Sequence, residues 1–87
     1  MLVKQVIRQF VVETFLFGND DGLENDTSFL ENGVIDSTGM LELIMFLENK
    51  YGIRIADEEL VPENLDSVQN IAGFIERKTG QRILKAS

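Results

Sequence analysis

The sequence contains neither cysteine nor histidine in its 87 residues. Without cysteine, a disulfide framework and a thiolate metal site are both excluded. Without histidine, the commonest general base and a leading zinc ligand are missing too. Bases are scarce: 8 Lys and Arg stand against 15 Asp and Glu, for a formal net charge of -7. Nucleic acid is a poor partner for such a chain, because phosphate binding needs a concentrated positive face. Long apolar runs are also lacking. The run from Leu43 to Leu47 falls far short of a bilayer span, and Lys4, Gln5, Arg8, Gln9 and Glu13 interrupt the apolar start that a secretory leader requires. These absences predict a cytoplasmic protein without membrane insertion, with no catalytic residue and no metal site of its own.

What remains is still a folding chain. Hydrophobic residues make up 44%, too many for a disordered acidic tail, and the length suits one small domain. Charge is unevenly spread. Residues 11 to 66 hold all the acids but Glu76, with only Lys50 and Arg54 as bases, so this stretch sums to -12. Such a negative face steers toward basic partner surfaces.

Periodicity predicts an all-α fold of three main helices and one minor one. Val3, Val6, Ile7, Phe10 and Val11 mark a first helix over 3–17, ended by the turn-forming Gly18-Asn19-Asp20-Asp21-Gly22. Residues 18–36 then form a long loop, expected to be ordered because Phe29-Leu30 and Val34-Ile35 can anchor it, with a helical turn after Asp26-Thr27-Ser28. Met40, Leu43, Ile44, Leu47 and Tyr51 predict a helix over 37–51, stopped by Gly52. A second apolar set, Leu41, Met45 and Phe46, lies off that stripe. A brief turn is expected over 57–60, with Pro62 preventing its continuation. The last helix is expected over 67–78, capped by Asp66 with Gln69 and closed by Gly80. On this reading residues 1–80 form the domain and 81–87 a C-terminal tail.

Two Asp-Ser pairs precede helices, Asp36-Ser37 and Asp66-Ser67. Three residues after Asp66 stands Gln69, which completes a capping box. Three residues after Asp36 stands Gly39, which cannot return that bond and weakens the first turn by roughly 1 kcal/mol relative to Ala. Capping alone therefore accounts poorly for Asp36-Ser37-Thr38-Gly39. A serine there sits at a helix N-terminus, where unpaired N–H groups and the macrodipole favour a phosphate. No adjacent base activates Ser37, so any group on it is installed by another enzyme. An ordinary helix-starting serine fits these residues as well.

The stretch Leu30-Glu31-Asn32-Gly33-Val34-Ile35-Asp36-Ser37, with Glu42-Leu43 and Glu48, resembles the acyl carrier protein family. The resemblance extends to Ile55-Ala56-Asp57-Glu58-Glu59-Leu60 and Asp66-Ser67-Val68, and so to nearly the whole chain. It implies an acyl-carrier-like helical bundle whose Ser37 bears 4′-phosphopantetheine, transferred from coenzyme A by a separate phosphopantetheinyl transferase. The thiol of that arm would hold acyl or aminoacyl groups as thioesters. The resemblance also implies a partner face of Asp36, Thr38, Glu42, Met45, Glu48, Ile55 and Asp57. Partners would be a loading ligase for acyl or aminoacyl groups and downstream acyltransferases or synthases, met by a monomer. Phe46, Leu47, Ile44 and Ile71 could line an acyl shelter, although they read equally well as core.

The sequence departs from the family pattern at Thr38, which replaces a leucine, and at Gly39, Asn49, Lys50 and Arg54, where acids are usual. These departures point to a specialised carrier of a dedicated lipid or secondary-metabolite pathway rather than the general carrier of fatty acid synthesis. Two other readings stay open: an aminoacyl or peptidyl carrier, and an unmodified acidic helical interaction module.

Overall fold

The computed structural model describes residues 2–19 and 22–86, with side chains described for 3–19 and 22–80. Helix α1 spans Leu2–Phe15, α2 Ser37–Tyr51, α3 Pro62–Leu65 and α4 Val68–Ala86, with a single 3-10 turn at Asp57–Glu59. No strand occurs among the described residues. The expected bundle of three long helices and a short one is therefore present.

The apolar stripes meet in one core. Ile7 and Val11 of α1, Leu43 and Leu47 of α2, and Val68, Ile71 and Ile75 of α4 are all fully buried. Each such side chain contributes about 1.5–3 kcal/mol over an exposed one. The long loop joins this core through Phe29, also fully buried, with Leu23 and Ile35 beside it. Phe29 N–H donates to the Asp66 carbonyl at 2.9 Å, and Gln69 N–H to the Asn25 carbonyl at 2.8 Å, so the loop is stitched to the α3–α4 junction. The helical turn expected after Ser28 is a hydrogen-bonded turn, Asn32 N–H to the Ser28 carbonyl at 3.2 Å.

Helix α2 has the predicted bounds because its two ends carry matching signals. Asp36 accepts at its start, and Gly52 takes the left-handed conformation (φ 63°) at its end. Three other expectations are corrected. Helix α1 stops at Phe15, two residues early, where Gly18 N–H bonds back to the Val12 carbonyl at 2.9 Å. The turn at Asp57–Glu59 does end before Pro62, as expected, and Pro62 then starts a separate helix, since its fixed φ suits a first helical position that needs no N–H donor. Gly80 does not close α4, which continues to Ala86; this glycine does not adopt a positive φ, so it supplies no left-handed stop. Finally, Asp66 does not cap α4. The Ser67 hydroxyl does, accepting from Asn70 N–H at 3.0 Å. Asp66 turns instead to the long loop, where Leu30 N–H donates to its carboxylate at 2.9 Å and the Ser28 hydroxyl donates to the other oxygen.

Candidate functional site

The start of α2 is built by Asp36. Its backbone is extended (φ -94°, ψ -175°), and its carboxylate accepts from Gly39 N–H at 2.7 Å. The Asp36 carbonyl takes the next amide, that of Met40, at 2.9 Å. Ser37 thus becomes the first helical residue, where its own N–H and that of Thr38 have no intrahelical acceptor. Ser37 is exposed, and among the described residues its hydroxyl makes no hydrogen bond. An exposed hydroxyl beside two outward N–H groups at a positive helix end accommodates a phosphodiester without rearrangement.

Gly39, which looks unfavourable from helix propensity alone, answers a contact from outside the helix. A Cβ at this position would stand 2.7 Å from Cε1 of Phe15 and 3.1 Å from Cγ2 of Ile35. The absent side chain therefore lets the end of α1 pack against the first turn of α2, placing both at one pole of the bundle.

Ser37 also lies on the rim of an apolar groove of about 240 Å³ between α2 and the α3 segment. Met40, Leu41 and Ile44 form one wall; Leu60, Val61, Pro62 and Leu65 form the other, and Leu30 lines it from the loop. The lining is apolar except for Ser37 and Asp66. Of the four residues considered for such a shelter, Ile44 lines the groove. Leu47 and Ile71 are core, and Phe46 stacks on Phe10 with centroids 4.1 Å apart. Leu41, Leu60, Val61 and Pro62 escape a sequence-only reading; the apolar excess of Leu41 beyond the helical stripe is the available signal.

The residues expected to face partners divide into two groups. Asp36, Thr38, Glu42 and Met45 are exposed along α2, Met45 by 61%, and Leu41 joins them at 59%. Asp57 is exposed at the 3-10 turn. Glu48 is half-buried and engaged internally, its carboxylate accepting Ile55 N–H at 2.9 Å, while Ile55 packs against the core. Within the acidic run 57–59, Glu59 is also tied down. It accepts Ala56 N–H at 2.9 Å and the Lys78 ammonium at 2.9 and 3.1 Å. The Ala56 amide first, and then Lys78, hold its carboxyl below the usual range. Of these acids, Glu42, Asp57 and Glu58 are exposed and their carboxylates carry no hydrogen bond among the described residues, while Asp36 is held by Gly39 N–H.

Known proteins are similar to this chain over most of its length. Residues 5–75 match the family model described as "Phosphopantetheine attachment site". The chain is 32% identical over 82 residues to an acyl carrier protein of Solidesulfovibrio magneticus, covering 93% of this chain and 100% of that one. It is 36% identical over 76 residues to an acyl carrier protein of Campylobacter hominis, covering 87% and 92%. Similarity to "Probable acyl carrier protein PigG" of Serratia sp. is 30% over 77 residues, covering 88% and 87%. Among solved structures, one described as "Crystal structure of FAD-dependent dehydrogenase" superposes with a TM-score of 0.71 at 32% identity, over 79% of this chain and 97% of that chain. Among the described residues, no helix is long and apolar enough to cross a membrane. With a family model covering most of its length and acyl carrier relatives aligned nearly end to end, the chain belongs to the acyl carrier protein family and is a carrier with a covalent 4′-phosphopantetheine group.

Proposed function

We propose that Ser37 is the attachment point and that the chain delivers acyl thioesters to the enzymes of a dedicated lipid or secondary-metabolite pathway, itself catalysing nothing. The observation that carries this reading is the exposed Ser37 hydroxyl at the start of α2, on the rim of the apolar groove. In the loading step the Ser37 oxygen attacks the pantetheine-bearing phosphorus of coenzyme A. The pyrophosphate bond breaks, adenosine 3′,5′-bisphosphate leaves, and the hydroxyl proton passes to a base of the transferase. Once bound, the arm supplies a thiol that holds acyl groups as thioesters. Asp36 keeps Ser37 at the first helical position, the N–H groups of Ser37 and Thr38 face the phosphate, and the groove beside Ser37 takes up a short apolar chain away from water.

Asp36, Thr38, Glu42, Met45 and Asp57 form the face that meets basic partner surfaces, with Met45 adapting to more than one of them. Glu48 and Ile55 support that face from behind. Residues 1–80 act as the carrier unit, with 81–87 as its extension, in a monomeric cytoplasmic protein.

Incubation with coenzyme A and a broad-specificity phosphopantetheinyl transferase, followed by intact-mass measurement, tests the reading. The wild type should gain one phosphopantetheine and Ser37→Ala none. No gain on the wild type, or an equal gain on the variant, overturns it.

A further inference from the structure

Phe17 combines two unfavourable features. It is the only non-glycine residue with a positive φ among the described residues, at 55°, and its side chain is 93% exposed. The left-handed conformation follows from the way α1 ends. Gly18 N–H reaches back six residues to the Val12 carbonyl at 2.9 Å, and this closure forces the residue before Gly18 into the region that favours glycine. A Cβ is penalised there, most of all for a bulky residue. The ring in turn leaves its apolar surface in water. Glycine would relieve the first feature and almost any polar residue the second, yet the chain has phenylalanine. Among the described residues no contact offsets either penalty, and backbone strain of this kind concentrates at functional sites.

The position of Phe17 indicates what covers it. Phe15, two residues earlier, packs its ring edge against the first turn of α2, so Phe17 sits at the Ser37 pole. Enzymes that act on cargo meet the α2 face but do their chemistry at the far end of the arm. The enzyme that attaches the arm must bring its active site to the Ser37 oxygen itself, and so must lie against the pole. From Glu13 to Asp36 the sequence carries seven acids and no lysine or arginine. A pocket that accepts Phe17 is thus apolar within and rimmed by bases.

We propose that Phe17 is an aromatic anchor for the phosphopantetheinyl transferase, inserting into an apolar, basic-rimmed pocket beside that enzyme's active site. The proposal rests on Ser37 being the attachment point. Its test is the kinetics of loading by a broad-specificity transferase with coenzyme A, followed by intact mass, on wild type, Phe17→Gly and Phe17→Leu. Phe17→Gly relieves the backbone, so its melting temperature should rise. Its KM as protein substrate should rise about tenfold with kcat unchanged, the pattern of a lost anchor contact. Phe17→Leu should recover most of the KM. An unchanged KM in Phe17→Gly overturns the anchor while leaving Ser37 as the attachment point, because the variant still gains mass. A fall in its melting temperature also overturns it, since the ring would then serve the fold. No mass gain on the wild type overturns both readings together.

Discussion

Gly39→Ala sets two opposing effects against each other at the start of α2. In a helix interior the replacement should stabilise by about 0.8–1.0 kcal/mol through propensity alone. Here the new methyl would stand 2.7 Å from Cε1 of Phe15, 3.1 Å from Cγ2 of Ile35 and 3.3 Å from Oδ1 of Asp36. The first distance is far inside contact, and inserting a methyl into a packed site typically costs about 1–3 kcal/mol. The net effect should be a loss of about 1 kcal/mol, a fall in melting temperature of roughly 4–8 °C for a domain of this size. Thermal and urea denaturation followed by circular dichroism would read it directly. The decisive measurement is a double-mutant cycle with Phe15→Leu, whose side chain ends one atom short of the Cε1 position. In that background Gly39→Ala should be neutral or stabilising, giving a coupling of about 1–2 kcal/mol. Stabilisation in the wild-type background with no coupling would refute the claim that Gly39 exists to admit Phe15.

Two further outcomes follow from side chains that bridge elements. The Glu59 carboxyl is held below its usual range by Ala56 N–H and Lys78, so its contribution to stability is complete above the unfolded value of about 4.3 and is lost as pH falls through the folded one. Glu59→Gln should therefore flatten part of the acid limb of a melting-temperature profile, and superimposable limbs would count against the pairing. Asp66→Ala strands the Ser28 hydroxyl and Leu30 N–H, and should cost about 1–3 kcal/mol in urea denaturation, with Asp66→Asn recovering part of it. A midpoint shift near zero for Asp66→Ala would show that the loop does not depend on this carboxylate.

Local signals are legible in the sequence and distant ones are not. Helix α2 is legible because the Met40–Tyr51 stripe and the Gly52 stop agree within one stretch of chain, whereas the Asp36 cap reads as weak because Gly39 cannot return a capping bond. The anchoring of the long loop is legible in Phe29 and Ile35, although Leu30 stays exposed. Asp66 misleads because its donors, Ser28 and Leu30, lie more than thirty residues away in sequence. Gly39 misleads for the same reason, since the ring that excludes a side chain belongs to α1. Gly80 reads as a stop on identity alone, whereas a glycine ends a helix only where the backbone turns left-handed. Ser37 can be located from the Asp-Ser pair and the family resemblance. The groove beside it cannot, because residues 30, 40 to 44 and 60 to 65 meet only after folding.

The two walls of that groove differ in how firmly they stand. The α2 wall rests on Leu43 and Leu47, fully buried behind it. The opposite wall rises from a 3-10 turn with no buried residue and a four-residue helix whose single buried residue is Leu65. A helix so short does not sustain itself. Beyond Leu65, which joins the core with Val68 and Ile71, its ties to α4 are polar: Glu59 to Lys78, Arg77 to Asn64, and Asn70 to the Pro62 carbonyl. Such a segment opens locally at a small fraction of the global unfolding free energy. In hydrogen exchange, the amides of Asn64, Leu65 and Asp66, bonded to the Val61 and Pro62 carbonyls, should exchange earlier than those of the α2 and α4 core. The groove therefore has one wall rooted in the core and one held by a single buried side chain and a few polar ties.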